Sequence, residues 1–425
     1  MGAAATSTDV LIAEVASHVG ADAVRESTAV DFVDGVRPRL VVEPRTQEGL
    51  AAALGWAASR TLTIGIRGGG TKLQWGGPVS TIDLLVLTGS LNALVKHRYG
   101  DLTATVEAGA TLSSINAALA DHDQWLPMDP PWSDRATIGG IVATNDSGPS
   151  RHRHGAPRDL IIGCNLVLSD GQIAKSGGIV VKNVAGYDLA RLLTGSFGCL
   201  AVITSATFKL APRAPSSRTV SIQLESISEM TPVLARLANS SLTPSAVELE
   251  WPPAMVHVRF ESVETSVDQQ SCEVMRLFEG LGTAQMTGTD DELHLWERYA
   301  RHWDLPGTLI KISSLPTEVV ELLVWLQETA SEHDVEITVA GRVALGIMEV
   351  WLSGSHGAQA RVVTKLRARF SEGEGSAVIR QGAASLRQQV NPWGPASNAL
   401  PLMKRVKEQF DPSMLLNPGR GPWGI

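Results

Sequence analysis

The sequence predicts a fold of mixed helix and sheet, α/β or α+β, divided into two or three domains. Three observations point there. The first half alternates short β-rich runs with helical stripes. A second alternation of strand and helix candidates begins near residue 213. The 425 residues, 44% of them hydrophobic, exceed the roughly 150 that one domain usually holds.

Taken in order, a first helix is expected near residues 9–19. PRTQEGLAAALGWAASR (44–60) is a second, with Thr46 as cap, Glu48 in the first turn, and Leu50, Leu54, Ala57 and Ala58 in a stripe. TLTIGI (61–66) reads as a strand running into RGGGTK (67–72). LLVL (84–87) and LTATVEAG (102–109) are strand candidates, and TLSSINAALADH (111–122) is a helix capped by Thr111. ATIGGIVATNDSGPSRHRHGAPRD (136–159) reads as a second glycine loop. DLIIGCNLVLSDGQIAKSGG (159–178) gives two strands joined at Ser169-Asp170-Gly171. The segment 182–212 reads as a short helix, a glycine turn and a strand alternating through Val202, Thr204, Ala206 and Phe208.

The second alternation places strands at 218–224, 254–260, 308–314 and 343–354, with helices at 229–240, 266–280, 316–333 and 356–370. A mixed sheet with helices on one face is expected, and SEGEGS (371–376) as a polar loop. No repeat of fixed period is present.

A net charge of −8 and a pI near 5.7 argue against a nucleic-acid surface. Cys164, Cys199 and Cys272 lie far apart without a CxxC pair, so the chain offers no zinc or iron–sulfur ligand set. The N-terminus lacks the features of a signal peptide. Gly2 and Thr6 match the loose myristoylation pattern, but a small-residue N-terminus is the plainer reading. No stretch is apolar enough to span a bilayer, so a cytoplasmic protein is expected.

RGGGTK fits neither common phosphate motif. Gly65 and Gly70 have the P-loop spacing, but Thr71-Lys72 follows in reversed order. A Rossmann turn must open a helix, and LQWGGPVS does not start one. Consecutive glycines still let backbone N–H groups converge on an anion. Together with the two later glycine-rich segments, they suit a long ligand with a pyrophosphate, a sugar or ribityl chain, and a flat ring.

VVEPRT, RGGGTK, ATIGGIVATNDSGP, HGAPRDLIIGCNLVLSDG, KNVAGYDLARLLTGSFGCLAVITSATFKL and the terminal FDPSMLLNPGR resemble, in that order, FAD-binding oxidoreductases of the vanillyl-alcohol oxidase (PCMH) type. Within that group, SGPSRHRHGAPRDLIIG and GSFG most resemble the smaller flavin-binding chain of bacterial glycolate oxidases. The resemblance covers residues 37–212 and 401–425. It implies an α+β fold: an N-terminal helical segment (1–36), a two-subdomain FAD-binding domain (37–212), a cap domain (213–400), and a tail (401–425) returning to the FAD domain. It also implies that Arg67, Gly68, Gly69, Gly70 and Thr71 hold the pyrophosphate through backbone N–H groups. Thr137, Gly139, Gly140, Thr144, Asn145 and Gly148 would line the ribityl and isoalloxazine side, and the main chain of Ile203 the pyrimidine edge.

Function follows from the same resemblance: an FAD-binding subunit of a complex oxidising glycolate, a small 2-hydroxy acid. Its implied partners are a larger FAD-linked subunit and an iron–sulfur subunit, which could also tie it to a membrane. A free-standing 2-hydroxy acid dehydrogenase, or a structural flavoprotein subunit, are the alternatives. Thr71 stands where some relatives carry a histidine bonded to FAD, so FAD is expected without a covalent bond.

The metal-binding H-x-G-D-G-N motif of the D-type relatives is missing; AGRVALGIMEV (340–350) is its nearest counterpart, and no metal is expected. No catalytic residue stands out. Arg342 is a candidate for a substrate carboxylate, against the plainer reading of an exposed charge. Lys182, Tyr187 and Asp188 suit a structural role as well as a substrate contact. Cys199 reads as a buried small hydrophobe. The basic run at Arg151, His152, Arg153, His154 and Arg158 reads as a solvated loop, with a docking patch as the sharper alternative. Trp296, Trp303 and Trp393 read as core, or as a partner-facing apolar surface.

Overall fold

The computed structural model describes residues 7–179, 186–370 and 375–425. Gly2, Thr6, Lys182 and residues 371–374 of the expected polar loop lie outside them. The chain divides into two compact units, Met1–Ser147 with Ala156–Arg213 and Ala396–Ile425, and Gly148–Gly155 with Ala214–Pro395. Gly148–Gly155, inside the stretch expected to belong wholly to the FAD domain, is thus counted with the second unit.

The first unit holds two main sheets. One runs Val24–Glu26, Leu40–Val42, Leu84–Leu87, Ile64–Arg67, with only the first pair antiparallel. Its inner strands are apolar at nearly every position because both faces are covered. Leu40, Val42, Ile64 and Val86 meet Leu11, Val15, Leu50 and Leu54 of helices Thr8–Val19 and Gln47–Ser59, while Val41 and Leu85 meet Val79 and Ile82. Thr46 caps the second helix by accepting a hydrogen bond from the Gly49 N–H.

The other sheet is antiparallel, in the order Leu94–Arg98, Thr103–Glu107, Val202–Lys209, Ile161–Val167, Ile173–Gly177. Val106, Leu166, Ala206 and Phe208 pack against helices Leu112–Leu119 and Ile138–Thr144. The second of these helices corrects the sequence reading, which took 136–159 as a loop throughout. Its apolar Ile138, Ile141 and Val142 fill the core while two glycines disguise the stripe.

The tail closes this unit. After helix Leu400–Phe410, the Ile64 N–H donates to the Leu415 carbonyl and the Asn417 N–H to the Ile64 carbonyl, both at 2.8 Å. The buried Lys407 ammonium donates to Asp411 (2.6 Å) and to the carbonyls of Cys199 (2.7 Å) and Leu416 (3.2 Å).

The second unit is one eight-stranded sheet: Thr283–Met286, Ser216–Gln223, Met255–Ser262, Ala246–Trp251, Glu336–Arg342, Ile347–Ser353, Thr308–Ser314, Gly375–Gln381. Every pairing is antiparallel, so the mixed sheet expected from sequence is corrected. One face is apolar, with Val258, Leu249, Val339, Val350 and Ile312 packed on helices Glu264–Leu277, Val319–Ser331 and His356–Phe370. The alternating residues put Glu248, Glu250, His257, Lys311, Arg342, Glu349 and Arg380 on the other. Helix Thr289–Ala300 covers part of that polar face, so helices lie against both faces, not one. Tyr299 Oη donates to Glu248, Arg298 to Glu250 at 3.0 Å, and Trp296 Nε1 to Thr219 at 3.1 Å. Trp303 is therefore packed inside this unit, and Trp296 is half-buried against the sheet.

Candidate functional site

Strand Ile64–Arg67 delivers the glycine triplet to a cleft, and each glycine answers a different constraint. A Cβ on Gly68 would overlap the Thr137 hydroxyl, and one on Gly69 the Arg135 carbonyl oxygen; Gly70 has φ +75°. The backbone of 68–71 therefore runs against the segment entering helix Ile138–Thr144, and the Gly69 N–H donates to the Thr137 hydroxyl at 3.4 Å. Gly139 in turn lies close against Ala108, where a Cβ would stand 2.9 Å from that side chain.

Two adjoining clefts of about 80 Å³ each open from this junction. Arg67, Gly68, Gly69, Gly70, Thr71, Thr137, Gly140 and Thr144 line the first. Gly139, Gly140 and Ile203 line the second, which runs beside Ala108, Ser196 and Gly198. Asn145 and Gly148 line neither. Asn145 ends the helix in a left-handed conformation (φ 50°), and its side-chain carbonyl accepts from the Arg158 N–H at 3.3 Å. Gly148 belongs to the segment counted with the other unit.

The charges around the first cleft are held in place. Asp31, fully buried, takes Arg25 on both oxygens (2.6 and 2.9 Å) and Arg67 on Oδ1 (2.9 Å). The Arg25 hydrogen bond is the main reason its carboxyl lies well below the usual carboxylate range. Two guanidiniums against one carboxylate leave positive charge beside the glycine backbone, which favours an anion. The Lys72 ammonium stands 3.4 Å from buried Asp146 and within 6 Å of the Trp75 and Trp132 rings.

Several lining residues were not anticipated from sequence. Asn417, in the terminal LLNPGR, joins the sides of the cleft. Its Oδ1 accepts from the Ile66 N–H (3.1 Å), and its Nδ2 donates to the Phe197 carbonyl (2.9 Å). Arg420 donates to the carbonyls of Leu73 and Trp75, pinning the turn after the triplet. The tail motif was the available signal, but nothing in its pattern marks the asparagine as a brace.

Other candidates fall elsewhere. Tyr187 is 90% exposed, and Asp188 caps helix Leu189–Leu193 by accepting from the Arg191 N–H (3.1 Å). Cys199 is buried, and burial pushes its thiol up to about 11. Arg151–His154 forms a short helix instead of a solvated loop, and burial lowers the pKa of His152 and His154. Arg342 is buried, not an exposed charge, and donates to Glu349 at 2.9 Å. Among the described residues no cluster of three or more His, Cys, Asp or Glu suits a metal ion, and no helix is long and apolar enough to cross a membrane.

Comparison with known proteins agrees with this geometry. Residues 38–177 match the FAD binding domain family, and residues 387–420 the C-terminal domain of FAD linked oxidases. The chain is 30% identical to glycolate oxidase subunit GlcE of Escherichia coli (strain K12), over 88% of this chain and 96% of that protein. The chain belongs to the FAD-linked oxidoreductases of the vanillyl-alcohol oxidase (PCMH) type. Within this family it is 26% identical to a D-lactate dehydrogenase of Archaeoglobus fulgidus, over 90% of each chain. The fold is shared with p-cresol methylhydroxylase (TM-score 0.79, 15% identity, 99% of this chain and 97% of that one). It is shared also with 4-ethylphenol oxidase from Gulosibacter chungangensis (TM-score 0.78, 15% identity, 100% and 98%). FAD is the cofactor of the family, and a cradle from which side chains are excluded by contact fits it.

Proposed function

We propose that this chain is an FAD-bearing subunit of a complex that oxidises a small 2-hydroxy acid, glycolate in the first instance. The similarity to a glycolate oxidase subunit over nearly its whole length carries this reading. Bound FAD supplies the two-electron acceptor for the alcohol carbon. The backbone of Gly68–Thr71 binds the pyrophosphate, aided by the charge of Arg25 and Arg67 around Asp31. Thr137, Gly139, Gly140 and Thr144 line the ribityl and ring portion, and Ile203 the pyrimidine edge. Asn145 and Gly148 are withdrawn from that set. With Thr71 at the position of a histidine attachment, FAD is held without a covalent bond.

Electrons leave to another protein. Cys164 and Cys199 are buried and separate, and Cys272 is exposed, so this chain brings no cysteine cluster of its own. That its relatives are named as glycolate oxidase subunits supports a multi-subunit complex, and a larger FAD-linked subunit and an iron–sulfur subunit are the partners proposed. The deciding experiment is an anaerobic visible spectrum, with and without glycolate, of the chain alone and of the complex purified with it. Bleaching only in the complex supports a subunit role. Bleaching of the isolated chain supports the free-standing dehydrogenase. A complex that stays active when this chain has lost its FAD overturns any part for its flavin. Acid precipitation that leaves flavin on the polypeptide overturns non-covalent binding.

A further inference from the structure

Lys72 follows the glycine cradle directly. Its side chain is only 5% exposed, a burial that lysine tolerates only with partners. The indole rings of Trp75 and Trp132 flank the ammonium, and Asp146, just past helix Ile138–Thr144, supplies the counter-charge. Asp146 is itself tied down, its Oδ1 accepting from the Ser147 N–H at 3.0 Å. The ion pair thus joins the glycine turn to the end of the helix, and both line the first cleft. The same ammonium donates to the Thr71 hydroxyl at 3.2 Å.

This second contact fixes the direction of the Thr71 hydroxyl. An ammonium can only donate, whereas a hydroxyl accepts and has one proton of its own to give. Thr71 Oγ1 is therefore the acceptor, and its proton is left for another partner. Among the described residues it has none. Thr71 is half-buried and lines the first cleft, so a ligand there can take the bond. Thr144 lines the same cleft but differs, because its hydroxyl donates to the Gly140 carbonyl of its own helix at 2.8 Å. A charged donor on Thr71 Oγ1 also polarises the O–H bond and strengthens it as a donor. With Asp146 opposing the lysine charge, orientation counts for more here than net charge. We infer that Lys72 is a positioning residue for the cofactor, holding the Thr71 hydroxyl as a donor to a pyrophosphate oxygen of FAD. This rests on the pyrophosphate reading of Gly68–Thr71 above and adds a side-chain donor to its backbone amides.

The test is fluorescence titration of the full chain, stripped of flavin, with FAD, and with ADP and riboflavin as competitors. Thr71→Val keeps the shape of a half-buried side chain, so the fold should survive. It is expected to weaken FAD and ADP about tenfold or more, the scale of one hydrogen bond to a charged group, and to leave riboflavin unchanged. Thr71→Ser should restore both. Lys72→Met alone takes the ammonium from buried Asp146 and can unfold the chain, so the lysine is tested with both charges removed, in Lys72→Met/Asp146→Asn. FAD should bind that variant more weakly, and adding Thr71→Val should cost only about threefold more, because the donor is already misdirected. FAD affinity unaltered by Thr71→Val, an equal loss for riboflavin, or the full loss repeated without the two charges each overturns the positioning role. Failure of ADP to compete in the wild-type chain would overturn the pyrophosphate reading, and this acceptor with it. Competition by ADP with no effect of Thr71→Val would keep that reading and remove the Lys72–Thr71 donor alone.

Discussion

The glycine-lined cleft of the first unit and the polar sheet face of the second are built in opposite ways. The cleft is mostly backbone. Its glycines are forced by neighbours that leave no room for a Cβ, and its nearest charges, Arg67 and Lys72, are already engaged by Asp31 and Asp146. The sheet face is all side chain, with Lys311, Arg342, Glu349 and Arg380 drawn from four strands. Backbone recognition suits a cofactor that stays the same across a family. A face made of side chains can be changed one residue at a time.

The sharpest way to break that contrast is Gly69→Ala. The new methyl meets the Arg135 carbonyl, which is backbone and cannot swing away, so a cost of about 3 kcal/mol or more is expected. The ratio of flavin to protein absorbance should collapse, whereas Gly140→Ala, whose Cβ would touch only the Thr137 hydroxyl at 3.4 Å, should keep flavin. Equal retention by both variants would mean that the cradle is not backbone-limited. Next comes Asp411→Asn, which removes the buried partner of Lys407 and weakens the acceptor for the Leu415 and Leu416 N–H groups. A loss of about 3–5 kcal/mol is expected in denaturant unfolding. Asn417→Ala should cost less, about 2 kcal/mol from two stranded backbone partners, and should weaken FAD binding beyond what stability alone accounts for.

The same contrast explains what the sequence discloses. RGGGTK was legible because contact with neighbouring backbone dictates residue type at consecutive positions. Helix Gln47–Ser59 and the parallel strands were legible from periodicity and apolar runs. Strand Ala246–Trp251 was not anticipated: Glu248 and Glu250 break its apolar run, although both are buried, bonded to Tyr299 and Arg298 of helix Thr289–Ala300. Lys311, Arg342, Glu349 and Arg380 are spread over 70 positions, and each alone reads as an ordinary surface charge. Only the register of the sheet brings them together.

Lys311 also supplies a pH test of the sheet face. Its pKa falls from the ordinary 10.5 of an unfolded chain to about 7 in the fold. Between those values the unfolded chain binds more protons, so stability rises with pH across this window. Below about 7 the lysine is charged in both states and the penalty is constant. Lys311→Met should therefore stabilise the ligand-free chain most at pH 6 and least near pH 10, in thermal melts. The partial exposure of the side chain keeps the expected effect to about 1–2 kcal/mol. A gain that grows with pH would contradict the assigned environment.

The smallest effect belongs to Cys199, and its smallness is the point. It lies at the turn that helps shape the second cleft, between Gly198 and Ala201, and on sequence it is a local oddity in a redox protein. Yet its thiol is buried and pushed up to about 11, and what Lys407 takes from this residue is the backbone carbonyl, which any side chain leaves in place. Cys199→Ala should thus shift stability by about 1 kcal/mol at most and leave flavin content and flavin reduction by glycolate in the complex unchanged. If reduction were lost while flavin stayed bound, a thiol would be doing chemistry in a cleft that is mostly backbone, and the division between the two regions would fail at that residue.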